Sequence, residues 1–234
     1  MRPRASSRTF WRIAVCVKLF EQTVHAQKPV PAEHYDAEYF HANWREGNNN
    51  YSLEARRQIE GKNPQLIKEV FQPKKVLDFG CGPGALIYLL WELGVDAEGI
   101  DFSAYAKRAA PEAVRDRIHV LAADLPINLG QTYDLVICRE VLEHLTVLQI
   151  QQAVQNMCKL SSRFIYVTTR YSKRREELLA IDTEPEVDAS HISLLNKDFL
   201  RCLFILQGFR SRYDLEAKMD WKNYGRVLVL EKVV

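Results

Sequence analysis

Four side chains in the second half of the sequence carry the groups needed for proton or metal chemistry. Glu140, Glu143 and His144 fall in the run Arg139-Glu140-Val141-Leu142-Glu143-His144-Leu145, and His191 falls in Asp188-Ala189-Ser190-His191-Ile192. If the first run is helical, positions i, i+3 and i+4 share one face, which would present two carboxylates and an imidazole together. Such a set could hold a divalent ion, with His191 as a fourth donor. An imidazole also titrates near neutrality, so His191, oriented by Asp188, is the leading candidate for a general base, with His144 and Glu143 beside it. A histidine that caps the next helix or fills a polar pocket is the competing explanation.

A second chemical centre lies earlier, in Val76-Leu77-Asp78-Phe79-Gly80-Cys81-Gly82-Pro83-Gly84-Ala85. Gly80, Gly82 and Gly84 permit a sharp turn against which a ligand can lie, and the helix that follows aims free N–H groups at it. Gly80, Gly82 and Ala85 also satisfy the loose dinucleotide pattern, so the glycines alone do not choose a cofactor. Asp78 does more: a carboxylate there suits a cationic amino group and repels a pyrophosphate. Asp101, roughly twenty residues on, is placed to accept two ribose hydroxyls. Cys81 has the thiol of a nucleophile, but its small size in a cramped turn explains it as well.

The stretch from Asp78 to Gly84 resembles motif I of the class I S-adenosylmethionine (SAM) methyltransferases, in the manner of the type 11 and type 23 groups. The resemblance implies SAM as cofactor, held by Asp78, Gly80, Gly82, Gly84 and Asp101. Asp124 in Ala122-Ala123-Asp124-Leu125-Pro126 resembles the acid that reads the adenine amino group in that family, with Leu125 as an apolar face for the ring. Cys81, Phe102 and Arg139 adjoin these positions and complete the expected cofactor set. The Glu140 to Leu145 run is similar to a segment of the ubiquinone-pathway O-methyltransferases and of the small-RNA 3′-terminal 2′-O-methyltransferases, where the corresponding acids and histidine bind a cation. It is similar also to relatives in which it only shapes the pocket, and the expectation here is SAM without a required metal. Asp188 and His191 resemble the D-x-x-H segment of glycan and small-molecule methyltransferases.

Alternating elements must position these groups. Apolar runs at Val76–Phe79, Val95–Ile100, Ile118–Leu121, Tyr133–Cys138 and Phe164–Thr168 read as strands, with helices between them. Leu86 to Leu93 is a helix stopped by Gly94, Thr146 caps a helix with Val147, Ile150, Val154 and Met157 on its core face, and Asn196 opens the last long one. Phe209–Tyr213 and Arg226–Leu230 read as final strands joined by a polar loop. The pattern predicts a doubly wound α/β domain. The resemblance implies a Rossmann-like sheet of seven strands, mostly parallel with the last antiparallel and helices on both faces. We expect a basic extension over 1–30, an aromatic-rich helical cap over 31–74 and the methyltransferase domain over 75–234. In the cap, Tyr35, Tyr39, Phe40 and Trp44 would form either a lid on the site or a helix pinned to the core by its rings.

The chain has 234 residues, 47% hydrophobic and 26% charged, with a net charge of +2. That composition supports a sizeable core and demands no polyanionic partner. No basic run is present to hold RNA phosphates, so nucleic acid is not expected. Five cysteines without a C-x-x-C pair read as reduced thiols. Arg2, Arg4, Arg8, Arg12 and Lys18 precede the first acid, Glu21; this arm would either touch a membrane surface weakly, carry targeting, or be a frayed extension, and its apolar run is too short to span. Cytoplasmic placement is expected. The function expected is O-methylation of a small molecule or glycan. A metal-dependent RNA 2′-O-methyltransferase, an NAD-dependent oxidoreductase and a non-catalytic SAM-binding module are the alternatives.

Overall fold

The structure, a computed structural model, describes residues 7–41 and 50–233. Arg2, Arg4, Trp44, Asn48 and Asn49 lie outside the described residues. The order of elements is α1 (Ser7–Ala26), α2 (Ala37–His41), α3 (Leu53–Glu60), α4 (Asn63–Phe71), β1 (Lys75–Phe79), α5 (Ala85–Glu92), β2 (Asp96–Asp101), α6 (Ala104–Ala109), α7 (Glu112–Arg115), β3 (Ile118–Val120) and β4 (Tyr133–Arg139), then α8 (Val147–Leu160), β5 (Ser161–Thr168), β6 (Ile181–Asp182), β7 (Leu194–Leu195), α9 (Lys197–Ile205), β8 (Phe209–Ser211), α10 (Tyr213–Met219) and β9 (Val227–Lys232).

Seven strands form one sheet in the order β3-β2-β1-β4-β5-β9-β8. The first five run parallel, and β9 lies antiparallel between β5 and β8. Strand residues alternate between two cores, as the period of two requires. Leu77, Phe79, Val136, Cys138, Ile165 and Val167 pack on one face with Ile150, Val154 and Met157 of α8 and Leu200 and Phe204 of α9. Val76, Ala97, Leu135, Ile137 and Tyr166 pack on the other with Ile67 and Phe71 of α4, Ile87 and Leu90 of α5, and Met219 of α10. Burial on both faces is why the strands read as near-continuous apolar runs.

The order reverses between β1 and β4, which opens a crevice at the carboxyl ends of these strands, where Asp78 and Arg139 sit. Three elements differ from the sequence reading. Residues 140–144 are not an α-helix: Glu140 takes a left-handed φ of +53°, and only Leu142–His144 make a single 3-10 turn. The expected polar loop after Tyr213 contains α10, whose Leu215 and Met219 join the second core. The basic extension forms α1, and its Phe20 and Val24 pack against the first core, with Phe20 edge-on to Phe199. Among the described residues no helix is long and apolar enough to cross a membrane.

Candidate active site

The glycine turn is tied down by its neighbour: the N–H groups of Gly80 and Cys81 both donate to Ile100 O, at 2.8 and 3.0 Å. Gly80 has φ +80°, and a Cβ there would lie 2.4 Å from Val141 Cγ2, so only glycine fits. Gly82 N–H donates to Asp101 Oδ2 at 2.8 Å, and Ser103 N–H donates to Oδ1 at 2.8 Å. Asp124 accepts from Gln149 Nε2 at 2.9 Å, and Gln149 is in turn fixed by its capping box with Thr146. A cavity of about 190 Å³ brings Asp78, Asp101 and Asp124 together with Gly80, Cys81, Gly82, Phe102 and Arg139.

Two expected cofactor residues adjoin this lining without being part of it. Gly84, between the lining residues Pro83 and Ala85, is not itself in the lining; it opens α5 with φ +74°, and a Cβ there would meet Ile118 Cδ1 at 2.7 Å, so the close packing of β3 also requires a glycine here. Leu125 is 61% exposed and outside the cavity, because the chain turns after β3 with Leu125 N–H donating to Ala122 O. Leu121 and Ala123 supply the apolar lining there. Burial pushes the Cys81 thiol well up, and its Sγ–H donates to Gly82 O at 3.4 Å, which leaves it a packing residue in the turn.

Sequence reasoning missed Arg56 and Glu60, which also line the cavity. They form an i,i+4 pair on α3, a pattern that reads as an ordinary solvated helix face. Instead Glu60 is 1% exposed and holds Arg139 Nη1 at 2.5 Å, Arg56 Nη2 at 2.9 Å and Asn63 Nδ2 at 3.0 Å. Burial would raise its pKa, but the two guanidinium groups outweigh burial and hold it down at about 2. Asp78 lies nearby and is buried; desolvation raises it to about 7 against the pull of Arg139. The aromatic cap closes the same cavity: Tyr35, Tyr39, Phe40 and Tyr51 line it, and Phe40 and Tyr51 lie over Gly82.

At the other end stand the acids and imidazoles. Glu140 is drawn away by Arg226 Nη1 at 2.6 Å and Arg170 Nε at 3.7 Å, and its left-handed backbone turns it from the helix face the spacing suggested. Glu143, His144 and His191 do come together, with candidate ligand atoms within 4.8 Å of one another. Glu143 is fully buried; its Oε2 accepts from Thr169 Oγ1 at 2.7 Å, while Oε1 has no partner. Burial, reinforced by the charge of Glu140, raises its carboxyl to about 8. The rings of His144 and His191 meet at 4.8 Å, 66° apart, and burial lowers both pKa values, that of His144 to about 4. His144 lines the cavity, whereas His191 and Glu143 sit behind it. Asp188 does not bond His191, whose Nε2 is 3.9 Å from Oδ2 and whose Nδ1 has no partner.

Residues 53–212 match the family model described as a methyltransferase domain. The chain is similar to the ubiquinone biosynthesis O-methyltransferase of Pectobacterium carotovorum subsp. carotovorum, 35% identical over 99 residues that cover 37% of this chain and 38% of that protein. The chain spans less than half the length of the curated relatives it matches. Among solved structures, the magnesium protoporphyrin IX methyltransferase of Synechocystis PCC 6803 with bound SAM covers 89% of this chain and 100% of its own, at 17% identity and a TM-score of 0.55. The sugar N-methyltransferase KedS8 of Streptoalloteichus sp. ATCC 53650 covers 79% and 89%, at 15% identity and a TM-score of 0.56. These two share the fold. The sheet order, the acids at the ends of β1 and β2 and after β3, and the family match agree, and the chain belongs to the methyltransferase-domain family of class I, SAM-dependent type.

Proposed function

We propose that the protein transfers the methyl group of SAM to an oxygen of a small-molecule or glycan acceptor. The observation that carries this reading is that His144 lines the same cavity as Asp78, Asp101 and Asp124, so a proton acceptor shares one space with the three acids suited to the cofactor. Asp78 would hold the amino group, Asp101 the ribose hydroxyls and Asp124 the adenine amino group. Arg56, a cation on the cavity wall, suits the cofactor's carboxylate. The sulfonium is a good leaving group, so the protein's task is to align the acceptor for in-line attack and remove its proton. Low basicity keeps His144 neutral, with a lone pair available, at physiological pH. Tyr35 and Tyr39, edge-on to His144, would wall the acceptor. The names of the relatives, O-methyltransferases among them, support an oxygen acceptor.

The test is titration of S-adenosylhomocysteine (SAH) into the protein, followed by transfer of labelled methyl from SAM to panels of phenols, sugars and amines. We expect saturable SAH binding and label on a hydroxyl compound, lost in His144→Gln. Label on amines alone, undiminished in that variant, would overturn the oxygen reading.

A second reading rests on Glu143 Oε1 and His191 Nδ1, two buried atoms without partners in one cluster with His144. Glu143, His144 and His191 would then hold a divalent ion, which would polarise the acceptor hydroxyl. Glu140 takes no part in that set, being paired with Arg226. Calorimetric titration of Mg²⁺, Mn²⁺ and Zn²⁺ into SAH-loaded protein, with Glu143→Ala as control, decides between the two.

A further inference from the structure

His144 Nδ1 lies 2.8 Å from Ser190 Oγ. Ser190 Oγ lies 2.6 Å from Asp188 Oδ1, and Ser190 N–H donates to the same carboxylate oxygen at 2.8 Å. A hydroxyl has one hydrogen. At 2.6 Å from a carboxylate oxygen that hydrogen must lie between the two atoms, since otherwise two sets of lone pairs would face each other. Ser190 Oγ can therefore meet His144 only as an acceptor, and Nδ1 must bring the proton. In a neutral imidazole that leaves Nε2 with the lone pair.

We propose that Ser190, fixed by Asp188, is a positioning residue that locks His144 in the Nδ1–H tautomer and so makes Nε2 its basic atom. This rests on the proposed function for its use, because His144 is the imidazole of this cluster that lines the cofactor cavity. Asp188 thus acts on His144 through a serine rather than on His191 directly, whose ring nitrogen stays 3.9 Å away. The arrangement has the logic of a carboxylate that orients a base through an intervening hydroxyl. It also accounts for a serine buried to 2% exposure in a loop otherwise rich in charge. The backbone supports it: Ile192 and Ser193 N–H groups both donate to Glu143 O, at 2.9 and 3.1 Å, which holds the loop of Ser190 against the turn of His144.

The test is two-bond ¹H–¹⁵N correlation spectroscopy of the full chain with ¹⁵N-labelled histidine, saturated with SAH, and His144 assigned by its loss in His144→Gln. In the wild type Nε2 of His144 should resonate as a pyridine-like nitrogen and Nδ1 as a pyrrole-like one. Ser190→Ala should move Nε2 toward the pyrrole-like range as the other tautomer becomes populated, and Ser190→Thr should keep the wild-type pattern. A pyrrole-like Nε2 in the wild type, or an unchanged pattern in Ser190→Ala, overturns the proposal. SAH saturation of each variant, read in the same samples, separates this outcome from failure of the cofactor reading, which would show as no SAH binding in the wild type.

Discussion

Glu60 and Arg139 meet at 2.5 Å in the wall of the cofactor cavity, one from α3 and the other from the end of β4, with Glu60 buried and Arg139 13% exposed. The pair binds the segment before the sheet to the strand that carries the active-site turn. Breaking a buried pair leaves an uncompensated charge, so Glu60→Gln should cost roughly 3 to 5 kcal/mol at neutral pH. The pH dependence follows from the depressed carboxyl, held at about 2. A group whose folded pKa lies below its unfolded value stabilises the fold above the unfolded pKa and loses that contribution as pH falls. Stability to urea should therefore drop between about pH 5 and pH 2, by on the order of 3 kcal/mol from this residue. Glu60→Gln should flatten that part of the profile; an unchanged profile would remove Glu60 as its source.

Asp78 titrates in the opposite sense. Burial raises it to about 7. An ammonium group placed beside it would favour the charged form and bring the pKa down, so SAM binding near pH 7 should release about half a proton. Calorimetry in buffers of different ionisation enthalpy measures that release directly. Affinity should rise as pH increases through about 7, since the ionised carboxylate is the binding form. The raised carboxyl contributes stability below its unfolded pKa that is lost as pH rises through about 7, and added cofactor should offset that loss. Asp78→Asn should abolish the proton release and weaken binding at least tenfold, about 1.4 kcal/mol. Release that persists in Asp78→Asn would assign it to another group.

The parts of this molecule that were readable from sequence are those encoded locally. The strands show as apolar runs because both their faces are buried, and Gly80 and Gly82 mark a turn where backbone geometry leaves little choice. Thr146 announces a helix start, which the structure completes as a capping box with Gln149. The parts that were not readable depend on partners far away in the chain. Glu140, Glu143 and His144 have helical spacing, yet Arg226, 86 residues later, takes Glu140. Arg56 and Glu60 look like a surface pair until Arg139, 79 residues on, turns Glu60 into a buried anchor. Tyr213–Met219 was missed as a helix because Asp214, Glu216 and Lys218 mask the short apolar face of Leu215 and Met219.

Gly84 offers a test of whether a motif glycine serves ligand or fold. Its φ of +74° and the 2.7 Å approach of Ile118 Cδ1 mean that an alanine is both strained and overpacked. Gly84→Ala should cost about 1–3 kcal/mol. Adding Ile118→Val, which removes the offending methyl, should restore part of that loss, measured by chemical denaturation. SAH affinity of the folded fraction should stay close to wild type, because Gly84 lies outside the cavity lining. A large loss of affinity without loss of stability would return this glycine to the binding surface.

Gln27, just past α1, places one side-chain amide across three segments. Its Nε2 donates to Ile192 O at 2.8 Å and Ser193 Oγ at 2.7 Å, and its Oε1 accepts from Val147 N–H at 2.8 Å. These partners flank His191 on one side and His144 on the other, so the amide links α1 to both halves of the histidine pair. Each bond is worth about 0.5–1.5 kcal/mol net, and Val147 N–H at the start of α8 would need a new acceptor. Gln27→Ala should therefore lower stability by about 1–3 kcal/mol and increase amide hydrogen exchange at residues 191–193 and 147, with SAH binding preserved. Gln27→Glu keeps the acceptor for Val147 but gives up the donor to Ile192 O and Ser193 Oγ, so its exchange increase should be confined to residues 191–193. Faster exchange confined to α1 in both variants would mean that the helix is only laid on the surface and that the histidine pair is held without it.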